Sequence, residues 1–209
     1  MRIGVFGGTF NPVHYGHLRA AEEIRCSMAL DTVLFVPSGN PPLKSAHLAD
    51  ALDRFLMTQQ AIAGNPFFAI SDCELSGDRK SFTVDTVKVL LERHSGDTLS
   101  LILGIDAFLD LPNWFRPDEL VALVDLIVAS RPGIPANRLE TSPFIEGRKP
   151  GAGGRWRVRG GKTLHFLDIL ALDISSTRIR ELVRSGASIR YLLPDSVAEM
   201  IDSKNLYRI

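Results

Sequence analysis

The chain has 209 residues, 45% of them hydrophobic and 23% charged, and its 24 Lys and Arg balance 24 Asp and Glu to a formal net charge of zero. That length can bury a sizeable core and suits a single α/β domain, while the charge balance removes any bulk electrostatic case for nucleic acid or an anionic membrane, so an anion site must be local. Cys26 and Cys73 have no metal or redox spacing, no run reaches the roughly 18 apolar residues of a membrane span, and no charged, apolar leader precedes the first strand, so the expected setting is the cytoplasm.

In chain order, Ile3-Gly4-Val5-Phe6 reads as a buried strand and Leu18 to Leu30 as a helix. Between them runs Gly7-Gly8-Thr9-Phe10-Asn11-Pro12-Val13-His14-Tyr15-Gly16-His17, a glycine-rich turn from strand to helix. Free backbone N–H groups and the positive end of the helix dipole converge at such a turn, which is how phosphate sites are built. His14 and His17 share a face if the helical turn has begun; a metal pair is the alternative, with no third ligand evident nearby. Thr32 to Val36 is a second strand, ended by the Pro- and Gly-rich stretch Pro37 to Lys44. Asp50 to Ala63 predicts a helix with Leu52, Phe55, Leu56 and Ile62 inward, stopped by Gly64-Asn65-Pro66.

Phe67 to Ile70 follows as a short third strand, and Thr83 to His94 as a helix with Val84, Val87, Leu90 and Leu91 inward. Leu99 to Leu103 is a fourth strand ending at Gly104-Ile105-Asp106, then come a short helix through Leu111 and Pro112-Asn113-Trp114-Phe115. Pro117 to Val124 is a helix and Leu126 to Ala129 a fifth strand. The Gly-, Pro- and Arg-rich stretch at about 134–162 predicts a flexible surface excursion, favoured over a nucleic-acid contact because no aromatic ladder accompanies Trp156. Thr163 to Leu167 resumes a strand, and Ser175 to Arg184 and Ser196 to Ser203 make a small helical part within 175–209. The alternation predicts one Rossmann-like, doubly wound domain over 1–209, with a mostly parallel sheet covered on both faces and its ligands at the carboxyl ends of the strands.

Gly4, Gly7 and Gly8 do not form the dinucleotide fingerprint and no P-loop occurs, which disfavours a redox or P-loop domain. The pattern from Gly8 to His17, G-T-F-x-P-x-H-x-G-H, instead resembles the first signature of the nucleotidyltransferase superfamily, and Ile174-Ser175-Ser176-Thr177-Arg178-Ile179-Arg180 resembles its second. Read from the residues alone, the second stretch is a capped helix start carrying hydroxyls, N–H donors and an arginine, suited to phosphates. The loop at 37–44, Ser81 to Thr86, Gly104 to Trp114, Leu126 to Gly133 and the closing Leu206-Tyr207-Arg208 are similar to the bacterial nicotinate mononucleotide adenylyltransferases.

That resemblance implies AMP transfer from ATP to nicotinate mononucleotide, with Mg²⁺ alongside ATP and pyrophosphate released. It implies His14, His17, Lys44 and Arg178 at the reacting centre. ATP would meet Gly7, Gly8, Thr9, Phe10, His14, His17, Gly104, Asp106, Ile174, Ser176 and Arg178. The acceptor would meet Asn11, Lys44, Thr83, Trp114, Phe115 and Arg131, with Trp114 stacked on the nicotinate ring and backbone groups near Thr83 and Phe115 taking its carboxylate. No protein metal ligand is implied beyond Mg²⁺ on the ATP phosphates. Two positions depart from the family pattern: Asn11 stands where an aspartate is usual, and Leu43 where a histidine is usual. Other phosphorylated acceptors (nicotinamide mononucleotide or phosphopantetheine), a nucleotide-binding sensor without turnover, and a homo-oligomer stay open at this stage.

Overall fold

The computed structural model describes residues 1–41, 47–75, 80–151 and 154–208. The apolar runs become strands β1 (Arg2–Gly8), β2 (Thr32–Pro37), β3 (Phe68–Ile70), β4 (Thr98–Gly104), β5 (Asp125–Ala129), β6 (Ile145–Gly151), β7 (Arg155–Val158) and β8 (Lys162–Leu167). The helices are α1 (Tyr15–Met28), α2 (Ala51–Ile62), α3 (Thr83–Arg93), α4 (Ile105–Asp110), α5 (Pro117–Leu123), α6 (Ser176–Arg184) and α7 (Asp195–Ser203).

Successive strand residues point to opposite faces, and the two faces fill two cores. Ile3, Val5, Leu34, Val36, Leu101, Leu103, Leu126 and Val128 pack on one side against α3, α4 and α5. Val33, Phe35, Ile102, Ile127 and Ala129 pack on the other against α1, α2, α6 and α7. Among the described residues the strands form one sheet in the order β3-β2-β1-β4-β5-β8-β7-β6. The pairs from β3 through β8 are parallel, whereas β8–β7 and β7–β6 are antiparallel. The doubly wound expectation is met. The order reverses between β1 and β4, so a crevice opens at their carboxyl ends. No helix among the described residues is long and apolar enough to cross a membrane.

Three expectations differ from the structure. The stretch at about 134–162, expected as a flexible loop, contributes a short 3-10 turn (Ala136–Thr141) and strands β6 and β7, which extend the sheet. Leu139, Phe144, Trp156 and Val158 from it are buried in the first core. The reason is the alternation Arg155-Trp156-Arg157-Val158, exposed and buried in turn, which a half-covered strand requires. Helix α1 starts at Tyr15 rather than Leu18, so His17 lies inside its first turn. Helix α2 is phased differently: Arg54, Met57, Thr58 and Ile62 face inward, while Leu52 is 59% exposed.

Trp156→Ala should therefore lower the unfolding free energy by about 3–5 kcal/mol, the cost of deleting a buried aromatic from a core. Urea unfolding checks this, and a change of a few tenths would return the segment to a surface role.

Candidate active site

The turn after β1 is set by aromatic packing. Gly8 pairs with Pro37 of β2, and two residues on Phe10 takes a left-handed backbone with φ 45°. Its ring is buried, edge-on to Phe6 at 5.7 Å and to His17 at 5.1 Å, and tilted against Phe35 at 5.7 Å. Phe10 thus presents backbone, not side chain, to anything bound at the turn.

His14 is the N-cap of α1, and its N–H donates to His17 Nδ1 at 3.3 Å. A ring nitrogen that accepts carries no proton, so the neutral His17 ring keeps its N–H on Nε2. The two imidazoles stack with centroids 3.7 Å apart and planes 26° apart. Gly16 makes room for the stack, since a Cβ there would sit 3.0 Å from His14 Cε1 and Nδ1. Burial, helped by the positive charge of Arg131, lowers the His14 pKa to about 4. Burial first, then His14 and Arg131, hold His17 well below its ordinary value. Both rings are therefore neutral near pH 7, donors of N–H bonds rather than cations.

The second motif docks directly on this turn. Ser175 caps α6 by accepting from the Arg178 N–H at 3.2 Å. Ser176 Oγ donates to the Pro12 carbonyl at 2.9 Å, and the Arg180 guanidinium donates to the Asn11 carbonyl at 2.9 Å. Ile174 leads into the helix, its N–H donating to the Leu172 carbonyl at 2.8 Å. Arg178 itself is exposed and pairs with Glu181 at 3.2 Å. At the ends of β4 and β5, Asp106 and Arg131 form an ion pair, which joins a residue expected at ATP to one expected at the acceptor.

Beside the turn lies a cavity of about 820 Å³ at the carboxyl ends of β1, β2 and β4. Gly7, Gly8, Thr9, Gly104, Thr83, Trp114 and Phe115 all line it, so seven of the expected residues converge there. Trp114 is fixed by its indole N–H donating to Asp110 at 3.2 Å, and Phe115 packs on Phe82 with centroids 4.3 Å apart. Glu74 also lines the cavity, accepting from Thr86 Oγ1 at 2.5 Å and from the Gly39 N–H at 3.3 Å. Thr83 is the first residue of α3, so the positive end of that helix faces the same space.

Asn11, expected at the acceptor, turns its side chain into the fold. It is 3% exposed; Oδ1 accepts from Tyr207 OH at 2.8 Å and the Ala49 N–H at 3.1 Å, while Nδ2 donates to the His47 carbonyl at 3.2 Å. These bonds commit the side chain to the fold, and an aspartate could not make the last of them. Lys44 and Leu43 lie outside the described residues. Sequence reasoning missed Arg54, Arg180 and Tyr207 as groups that hold the turn. Arg180 and Tyr207 stand inside quoted motifs without a sign of that role, and Arg54 shows only as a charged residue at the inward spacing of Met57, Thr58 and Ile62.

Because His14 titrates lower in the folded chain than in the unfolded one, the unfolded chain binds the extra proton between pH 6.5 and about 4. The stability this represents is complete above pH 6.5 and is lost as the pH falls through that window. Urea midpoints should drop from pH 7 to pH 4, and His14→Gln should make the drop shallower; an unchanged slope in the variant would remove His14 as its source.

Comparison with known proteins agrees with this geometry. The cytidylyltransferase-like family model matches residues 5–182. The chain is 41% identical to the probable nicotinate-nucleotide adenylyltransferase of Geobacter sulfurreducens, over 99% of this chain and 98% of the relative. It is 42% identical to the probable nicotinate-nucleotide adenylyltransferase of Moorella thermoacetica, over 99% of this chain and 92% of the relative. In fold it is similar to the Plasmodium falciparum nicotinic acid mononucleotide adenylyltransferase complexed with NaAD, at TM-score 0.78 and 22% identity, covering 99% of this chain and 97% of that one. The two docked motifs and full-length kinship lead to one conclusion: the chain belongs to the nicotinate-nucleotide adenylyltransferase family, within the cytidylyltransferase-like fold.

Proposed function

We propose that the chain transfers AMP from ATP to nicotinate mononucleotide, releasing pyrophosphate and forming nicotinate adenine dinucleotide for NAD synthesis in the cytoplasm. The observation that carries this reading is the contact of the two helix starts, α6 on the turn before α1, next to an aromatic-walled cavity large enough for a mononucleotide. Two anion-seeking helix ends meet where a triphosphate and a phosphorylated acceptor must be brought together.

The acceptor phosphate is largely dianionic at pH 7, since its second pKa is about 6, so no general base is needed. Its oxygen attacks the α-phosphorus, the new P–O bond forms, and the bond from the α-phosphorus to the bridging oxygen breaks, with the electron pair leaving on pyrophosphate. Catalysis is then positioning plus stabilisation of spreading negative charge. His17 supplies its Nε2–H to that charge, His14 stacks behind it, and Gly7, Gly8 and Thr9 leave backbone room for the phosphates. Ser176 and Arg178 serve the β- and γ-phosphates from α6, and Asp106, held by Arg131, serves the ribose. Trp114 stacks on the nicotinate ring, while N–H groups at the start of α3 and near Phe115 receive the carboxylate.

No three His, Cys, Asp or Glu side chains converge as metal ligands among the described residues, and the turn offers imidazoles and N–H donors. That donor set fits Mg²⁺ as a partner of the ATP phosphates rather than as an ion caged by protein; there it would neutralise charge on the leaving group.

Purified protein with ATP, nicotinate mononucleotide and Mg²⁺ should release pyrophosphate. Turnover only with nicotinamide mononucleotide or phosphopantetheine would reassign the acceptor, and tight binding without turnover would make the chain a sensor. His17→Ala should lower kcat by about 10²-fold, the usual loss for one transition-state donor. Trp114→Ala should raise KM for the acceptor about tenfold, as loss of one stacked base does, and leave KM for ATP nearly unchanged.

A further inference from the structure

Arg54 is the largest fully buried side chain, at 0% exposure, on the inner face of α2. Among the described residues no carboxylate pairs with it. Its bonds go instead to three carbonyls: Nε to Ala49 at 2.9 Å, Nη1 to Thr9 at 2.8 Å and Nη2 to Gly39 at 2.9 Å. Burial disfavours the charge of this guanidinium, and the nearby acidic side chains Glu74 and Asp50 offset that only from a distance, without a direct ion pair among the described residues. What the arginine does uniquely is reach three separate segments at once with a planar fork.

Those segments frame the site. Thr9 belongs to the turn after β1 and lines the cavity. Gly39 follows β2, and Ala49 precedes α2, so the two flank residues 40–48. Each flanking peptide is gripped on both of its polar groups. The Gly39 N–H donates to Glu74 and its carbonyl accepts from Arg54. The Ala49 N–H donates to Asn11 and its carbonyl accepts from Arg54. The Gly39 peptide comes so close that a Cβ there would lie 1.8 Å from the Glu74 carbonyl oxygen. One guanidinium therefore fixes the spacing of both flanks and their offset from the turn.

We propose that Arg54 is a positioning residue for adenylyl transfer: its guanidinium holds the turn at Thr9 against the Gly39 and Ala49 segments, which sets the alignment of acceptor and ATP. This rests on the adenylyltransferase reading. It touches neither substrate, and it acts through backbone it holds rather than through its charge. A displacement of about 1 Å in such a frame is enough to cost up to 10²-fold in rate.

The test is Arg54→Lys, which keeps the charge but can hold one carbonyl at a time, compared with the unaltered protein at 25 °C after circular dichroism confirms folding. The expected result is a kcat at least tenfold lower, with KM for ATP and for nicotinate mononucleotide within about threefold of the original. A lower melting temperature with unchanged kcat and KM would reduce Arg54 to a stabilising residue and overturn the proposal. A raised KM with normal kcat would overturn it too, by making Arg54 a direct ligand. If the lysine variant does not fold, Arg54→Gln, which leaves no buried charge, is read by the same criteria. An unaltered protein that releases no pyrophosphate would refute the activity itself, a result separate from any difference between variant and parent.

Discussion

Burial of the Phe10 ring is the interaction on which the site depends. A left-handed backbone at a non-glycine residue costs about 1–3 kcal/mol, and burying a phenylalanine side chain contributes about 1.5–3 kcal/mol. The two are of one size, so the turn keeps its shape because the core behind it accepts that ring. Phe6 of β1 and Phe35 of β2 form the socket, and His17 closes it from α1. The same contact that steadies the backbone therefore orients an imidazole. Packing and chemistry share one aromatic cluster here, and strand, turn and helix cannot shift separately.

The chain has no net charge, so attraction of anions has to be arranged locally. Under the proposed function, dipoles and neutral donors around the turn would act beside the exposed Arg178. His14 and His17 are kept uncharged by burial, Arg131 is paired with Asp106, and Arg180 and Arg54 are spent on backbone carbonyls. In the proposed reaction, helix starts, backbone N–H groups and the His17 N–H would join Arg178 in meeting the phosphates. Such groups are already oriented when a substrate arrives and need little rearrangement as charge moves. In the cavity beside the turn, Trp114, Phe115 and Phe82 make an apolar wall whose polar relief comes from the start of α3. The reversal of strand order at β1 opens the space that both the turn and this wall border.

Elements driven by local pattern were legible in the sequence. The parallel strands are continuous apolar runs, both glycine- and serine-rich helix starts carry their own capping chemistry, and the aromatic pair at Trp114 and Phe115 follows the short helical stretch after β4. Features that depend on partners far along the chain were not. Asn11 was visible as a departure from a family pattern, yet nothing local says that its oxygen meets Tyr207. In α2 the expected Leu56 and Ile62 do pack on the second core, whereas Leu52 is exposed and Arg54 takes an inward place set by distant carbonyls. The antiparallel β6–β7 extension was hidden by glycine density, although Arg155 to Val158 alternates as a strand should. Local period predicts an element; only the neighbour it meets decides its phase.

The bond from Tyr207 to Asn11 spans 196 positions, and that from Arg180 to Asn11 spans 169. The turn therefore takes its local course between β1 and α1 but is completed by partners far along the chain. Until α6 and the Tyr207 segment dock, Asn11 lacks two of its partners, so a folded β1-α1-β2 unit alone would carry the shape of the turn without the bonds that hold it.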